Sequence, residues 1–194
     1  LITGSTGFVG SHLTEKYSAL GHEVWCLVRN STKAQALKLP GVMIQGDLDS
    51  FTWVDELPLD LDLVIHSAGI VHTHYTKEFV ETNVQGTQSL VFALAQKLPT
   101  LKFLFISSLS ACGPGDHLKE LTQEACRPVS EYGRSKLEAE KIILKNSPKG
   151  WKVFIVRPPM IIGPRDPAML DVFKMVKSRV VLIPGGGERF YSFV

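Results

Sequence analysis

The sequence is short of everything that would staple, coat or anchor it. Only three of its 194 residues are cysteine, and Cys26, Cys112 and Cys126 form neither a CxxC pair nor a metal-ligand spacing. A scattered, odd set of thiols excludes a disulfide scaffold and reads as reduced cysteine in a cytoplasmic protein. Neither charge is in excess. With 21 Lys and Arg against 19 Asp and Glu the formal net charge is +2, which speaks against nucleic acid or an acidic membrane as a partner. No apolar run approaches the ~20 residues of a membrane span, and no signal peptide is visible. His72 and His74 alternate, but no third ligand follows at zinc spacing, so no metal site is expected. Repeats and low-complexity tracts are absent.

What remains is ordinary globular composition, 44% hydrophobic, 21% charged and 9% aromatic. The length suits one domain, or one domain and part of a second. Apolar strand runs alternate with helix-length amphipathic stretches, the pattern of βαβ units around a parallel sheet. Strands are expected at Leu1-Ile2, 24–28, 42–44, 63–65, 103–106 and 153–156. Helices are expected at 8–20, about 34–39, about 77–98 and 131–145. After Arg157-Pro158-Pro159 the rhythm changes to a helix over about 168–177 and a glycine-rich turn at Gly185-Gly186-Gly187. The division read from this pattern is a nucleotide-binding domain over 1–165 and the start of a smaller, incomplete substrate-binding domain over 166–194. Both ends read as cut, since Leu1-Ile2 is short for a strand and 190–194 stops inside a strand-like run. The expectation is a longer protein, with about a hundred further residues of a second domain.

Gly4-Ser5-Thr6-Gly7-Phe8-Val9-Gly10 lies between the first strand and the first helix, the context a dinucleotide-binding loop requires. One glycine permits the tight turn, one lets the backbone approach a pyrophosphate, and one lets helix and strand pack closely. The helix start supplies free N–H groups to the anion. The alternative is a structural turn. NAD-binding domains of this kind place Asp or Glu after the second strand to hold the ribose 2′-hydroxyl. Here Arg29-Asn30 stands there, with Lys33 nearby. Arg can grip a 2′-phosphate that a carboxylate would repel, so NADP(H) is expected over NAD(H). The alternative for Arg29 is a solvated loop charge.

Thr3 to Gly10 matches the TGxxGxxG motif of short-chain dehydrogenases. Gly46-Asp47-Leu48, His66-Ser67-Ala68-Gly69, Asn83-Val84-Gln85-Gly86-Thr87, Tyr132-Gly133-Arg134-Ser135-Lys136 and Arg157-Pro158 follow in register. Together they resemble the extended short-chain dehydrogenase/reductases, the epimerase/dehydratase branch, across essentially the whole chain. The resemblance implies a doubly wound Rossmann α/β fold with strand order 3-2-1-4-5-6. It implies cofactor contacts from Gly4, Thr6, Gly7, Phe8, Val9, Gly10, Asp47, Leu48 and Ala68. The alternative for Asp47 is a helix cap. It also implies a homodimer through the two long helices, testable by solution mass.

Tyr132 and Lys136, four apart on a predicted helix, share one face. A Tyr is a poor base near neutrality, and a neighbouring ammonium together with the cofactor's positive ring would favour its phenolate. In the family these are catalytic, together with a Ser or Thr ending the fifth strand that steadies the substrate oxygen. Aligning Gly113 makes Ser108 the match, with Ser107 the alternative. Lys136 would also hold the nicotinamide ribose. The resemblance links Asn83 to the active site through a bend in its helix, a structural role ranked above substrate contact. His66 reads as a satisfied core histidine beside the cofactor, and Cys112 as packing.

The implied chemistry is hydride transfer between nicotinamide and a carbon bearing oxygen. Leu109 and Ser110 replace the acidic pair of the family's dehydratases, arguing against dehydration. Arg29 and Gly163-Pro164-Arg165-Asp166 resemble the dihydroflavonol-reductase and 3β-hydroxysteroid-dehydrogenase-like group, which takes small carbonyl or hydroxyl substrates. Gly187 to Tyr191 instead resembles the segment whose Arg, here Arg189, grips the pyrophosphate of a nucleotide-sugar, as in an epimerase. A third alternative is a non-catalytic NADP(H)-sensing or scaffold module, against which Tyr132 and Lys136 both stand.

Overall fold

A computed structural model describes residues 1–114, 126–179 and 192–194. By its contacts the chain divides into two compact units, Leu1–Arg157 and Pro158–Val194. The division falls earlier than the 165/166 boundary read from the sequence. Two prolines follow Arg157 and offer no backbone N–H to extend a sheet ladder.

In the first unit the order is β1 (Ile2–Thr3), α1 (Phe8–Ala19), β2 (Trp25–Val28), α2 (Ser31–Ala36), β3 (Val42–Gln45), a 3-10 turn (Thr52–Glu56) and β4 (Leu63–His66). A short α3 (Thr76–Glu78), a π-helical segment (Phe79–Gln85) and α4 (Gly86–Lys97) follow without a break, then β5 (Leu101–Ile106), a 3-10 turn (Leu109–Ala111), α5 (Glu131–Asn146) and β6 (Trp151–Val156). The six strands pair in parallel in the order β3-β2-β1-β4-β5-β6, the Rossmann arrangement.

Alternation along each strand sends neighbouring side chains to opposite faces. Val64, Phe103 and Phe105 enter a core with Leu90, Val91 and Leu94 of α4 and Ala139 and Ile143 of α5. Ile65, Cys26 and Val28 enter a second core, against which Leu13 and Tyr17 of α1 pack. The face of α1 that meets the sheet is built from small residues, with Gly10, Ser11 and Thr14 buried. This brings the start of α1 close to the end of β1.

Several elements differ from the sequence expectation. Helix α2 begins at Ser31, because the Asn30 side chain accepts a hydrogen bond from the Lys33 N–H at 2.9 Å and caps it. Strands β5 and β6 each begin two residues earlier than read, where Leu101 pairs with Trp151. The long helix carries a wide turn that periodicity does not signal.

In the second unit, the described residues include α6 (Pro167–Lys177), capped by the Asp166 carboxylate on the Ala168 N–H, and a parallel bridge between Met160 and Phe193. The helix over 168–177 is thus found, one residue longer at its start.

Phe103 has no solvent exposure and stacks on Trp151 with ring centroids 5.4 Å apart. Phe103→Ala is expected to cost about 3–5 kcal/mol, read as a lowered midpoint in urea unfolding with the slope unchanged.

Candidate functional site

The loop from Thr3 to Gly10 turns at Gly4, whose φ of +69° lies in the left-handed region. A side chain is excluded there on a second ground. A Cβ on Gly4 would stand 2.7 Å from the Ala68 nitrogen, so β1 and the segment after β4 meet without room for one. At Gly10 a Cβ would fall 2.1 Å from the Gly4 carbonyl oxygen, so the first turn of α1 rests directly on the loop. Gly7 is exposed and caps α1 with no side-chain hydrogen bond. The leading N–H groups of the helix are therefore presented by bare backbone. Thr6, Phe8 and Val9 are half-buried around them, and the Phe8 ring stands edge-on to His12 at 5.3 Å.

Arg29 lies one residue beyond β2 and is exposed, and only its backbone carbonyl is engaged, accepting from Gln45 Nε2 at 2.8 Å. Among the described residues its guanidinium has no ion pair. Lys33 is likewise exposed, within α2. Asp47 follows β3 closely and folds its carboxylate onto the N–H groups of Asp49 and Ser50, both at 2.9 Å. It closes a turn and does not cap a helix. Leu48 packs on the core and on Gly86.

Behind the loop runs a buried chain of hydrogen bonds. The Ala68 N–H donates to Thr3 Oγ1 at 3.3 Å, and that hydroxyl donates to His66 Nδ1 at 2.7 Å. On the other side Thr87 Oγ1 donates to the Asn83 carbonyl at 2.7 Å, so it must accept from His66 Nε2–H at 2.9 Å. This assigns a neutral His66 with its proton on Nε2. Burial, and secondarily the positive charge of Lys136, push its pKa down to about 3. His66 is the satisfied core histidine the sequence favoured.

Asn83 sits in the π-helical segment and bridges outward. Its Oδ1 accepts from the Ile70 N–H at 2.8 Å, while Nδ2 donates to the Ile70 carbonyl and to Ser135 Oγ, both at 3.0 Å. Its amide is committed to protein partners, which tie the segment after β4 to α5. That leaves Asn83 a structural bridge and not an available substrate ligand.

The two serines ending β5 have separate surroundings. Ser107 is buried and donates to Glu140 at 2.5 Å. Ser108 accepts from the Ser110 N–H at 3.1 Å, so it caps the following 3-10 turn, and its hydroxyl lies near enough to Tyr132 to act on the phenol. Helix α5 starts at the Ser130 cap, whose hydroxyl accepts from the Gly133 N–H. Gly133 admits no side chain, since a Cβ would lie 2.2 Å from the Ser110 carbonyl oxygen. The helix is thereby pressed against the Ser108 turn, and Tyr132 reaches Ser108. One turn later Lys136 is buried with its ammonium 4.3 Å over the Phe105 ring.

The sequence expectation set the Lys136 ammonium and the cofactor's positive ring together as drawing Tyr132 towards phenolate. Burial pushes the Tyr132 phenol above its ordinary value, and the nearby Ser108 hydroxyl opposes this only in part. Burial brings Lys136 down to about 8, with the Glu140 charge holding it up. For both groups burial is the larger cause.

Glu140, Arg157 and Ser135 carry contacts that the motif reading did not anticipate. The signal for Glu140 is its place four residues after Lys136, on the same face. Arg189 and the glycine run before it lie outside the described residues. Among the described residues no group of three or more His, Cys, Asp or Glu could hold a metal, and no helix is long and apolar enough to cross a membrane.

The neutral His66 has a consequence for acid stability. Its folded pKa of about 3 lies below the unfolded value of 6.5, so its contribution is intact above pH 6.5 and is lost as pH falls towards 3. The loss has a limiting slope of about 1.4 kcal/mol per pH unit. Urea midpoints measured from pH 7 to pH 4 should fall, and His66→Asn should make that decline shallower. An equally steep decline in the variant would refute the assignment.

Comparison with known proteins agrees with this architecture. The model of the NAD-dependent epimerase/dehydratase family matches residues 1–193. UDP-glucose 4-epimerase of Vibrio cholerae is 30% identical over 197 residues, covering 96% of this chain and 58% of that protein. GDP-6-deoxy-D-mannose reductase of Pseudomonas aeruginosa is 34% identical over 179 residues, covering 84% and 52%. Among solved structures, UDP-glucuronic acid 4-epimerase from Bacillus cereus, in complex with UDP-glucuronic acid and NAD, superposes with a TM-score of 0.82 at 27% identity. That match covers 99% of this chain and 67% of the other. The chain thus spans little more than half the length of these curated relatives. With the six-stranded order and the glycine loop in place, the chain belongs to the NAD-dependent epimerase/dehydratase family.

Proposed function

We propose that the protein is an NADP(H)-dependent oxidoreductase that moves a hydride between nicotinamide and a carbonyl or hydroxyl carbon of a small molecule. The observation that carries this reading is the convergence of Tyr132, Ser108 and Lys136 at the carboxyl ends of the strands, where the close approach of Gly133 to Ser110 sets the start of α5 against the turn that Ser108 caps.

The glycine loop fits a dinucleotide. Gly4 and Gly10 leave no space for side chains, Gly7 is exposed, and the uncapped start of α1 offers N–H groups to a pyrophosphate. Gly4, Thr6, Gly7, Phe8, Val9 and Gly10 would hold that part, Arg29 the 2′-phosphate, Leu48 and Ala68 the adenine side, and Tyr132 and Lys136 the nicotinamide ribose. When bound, the nicotinamide supplies the hydride donor or acceptor. Tyr132 then exchanges a proton with the substrate oxygen. Its phenol, held above the ordinary value by burial, is protonated at neutral pH and suited to donate to the oxygen of a ketone being reduced. Ser108 orients that oxygen and steadies charge developing on it. Lys136 supplies the cation behind both.

Preference for NADP(H) rests on Arg29, exposed and without an ion pair among the described residues. NAD(H) is the alternative, supported by the NAD in the related Bacillus structure. A second reading of the reaction is nucleotide-sugar epimerisation, supported by the UDP-glucose 4-epimerase and UDP-glucuronic acid 4-epimerase relatives. It shares the same hydride step.

Calorimetry with NADPH and NADH side by side tests the cofactor. Arg29→Asp should weaken NADPH about ten- to hundredfold, the worth of a charge-assisted hydrogen bond, and spare NADH. An unchanged NADPH preference would remove Arg29 from the reading. Tyr132→Phe should retain NADPH binding and lower kcat/KM for carbonyl reduction about 10²- to 10⁴-fold. Undiminished turnover in that variant would discard Tyr132 as the proton donor.

A further inference from the structure

Glu140 has no solvent exposure, and no step of the reaction described above uses it. Its carboxylate receives two nitrogens of Arg157, Nε at 2.9 Å and Nη2 at 2.6 Å, and the Ser107 hydroxyl at 2.5 Å. These partners come from three elements. Glu140 belongs to α5, Ser107 immediately follows β5, and Arg157 immediately follows β6. The remaining arm of Arg157 reaches the Cys112 sulfur at 3.2 Å, beyond the 3-10 turn that Ser108 caps. Two of these fixed points adjoin residues of the proposed site. Ser107 precedes Ser108, and Glu140 lies one helical turn beyond Lys136.

We propose that Glu140 is a positioning residue for this site, locking α5 to the ends of β5 and β6 and supplying the negative charge that faces the buried Lys136 ammonium. The proposal rests on the reading of Tyr132, Ser108 and Lys136 as the working group. The groups around Lys136 make the charge argument specific. From its own helix come Tyr132 and Glu140, from β4 the neutral His66, and from β5 the uncharged Phe105 ring. Beyond Glu140 lie Arg157 and, past it, Cys112, whose thiol burial pushes up to about 11. Glu140 is thus the anion of this buried cluster and faces two cations. The ion pair with Arg157 is bidentate, so it fixes direction as well as distance. Lys136, brought down by burial to about 8, is where a change in that charge will be felt near neutral pH.

The test is the titration of Lys136 in the whole chain, followed by NMR of lysine labelled with ¹³C at Cε and assigned with Lys136→Met. Glu140→Gln keeps the shape and removes the charge, and should move the Lys136 midpoint down by about one pH unit. Glu140→Asp keeps the charge on a shorter arm and should leave the midpoint between those of wild type and Gln. An unchanged midpoint in a folded Glu140→Gln protein overturns the proposal, as does an Asp variant that titrates like Gln. Should Glu140→Gln fail to fold, Arg157→Gln replaces it. With the competing guanidinium gone, the carboxylate acts on Lys136 alone and the midpoint should rise, and a fall or no change overturns the proposal. These readings need no cofactor. Failure of wild type to bind NADPH or NADH would instead count against the functional reading alone.

Discussion

A carboxylate withdrawn from water needs a counter-charge and hydrogen-bond donors in the same place, or its burial costs several kcal/mol. Glu140 meets that requirement with two nitrogens of Arg157 and the Ser107 hydroxyl. The three elements that supply these groups cannot slide past one another without breaking charged bonds inside the protein. That constraint sets where α5 lies on the sheet, and α5 carries Tyr132 and Lys136. Apolar packing of Ala139 and Ile143 presses the helix onto Phe103 and Phe105. Dispersion is tolerant of small shifts, whereas a bidentate ion pair is directional.

At the carboxyl ends of the two central strands, β1 and β4, lies a second polar assembly, running from the Ala68 N–H through Thr3, His66 and Thr87 to the Asn83 carbonyl. Thr3, His66 and Thr87 each give one proton and take one, so the tautomer of His66 follows from its neighbours. The Asn83 side chain carries the linkage on to Ile70 and Ser135. Within the wide π turn at Phe79–Gln85 that side chain is buried between the segment after β4 and α5. The glycine loop and α5, far apart in sequence, are joined through this chain.

Much of this was legible in the order of residues. Strand runs such as Leu63-Val64-Ile65 are apolar throughout because a parallel strand is buried on both faces. The glycines at 4, 7 and 10 announced a loop that no side chain could enter, and Gly21, with φ +85°, marked the end of α1. The choice between Ser107 and Ser108 stayed open in the sequence, since adjacent residues of a strand end differ only in the face they take. The fold separates them, one towards Glu140 and the other towards Tyr132. The start of α2 was misplaced because a single cap at Asn30 outweighed apolar periodicity.

The sequence alone determined the strand and helix alternation, the glycine loop, the pairing of Tyr132 with Lys136 on one helical face, and the presence of an Arg where a carboxylate would select NAD. All of these depend on spacing within a few residues. Tertiary structure alone decided which buried charges meet, which proton His66 carries, and in which direction burial moves Tyr132. Those depend on groups 17 to 63 residues apart along the chain, brought within hydrogen-bond reach where water is excluded. Periodicity carries no record of which distant partner will share a desolvated space.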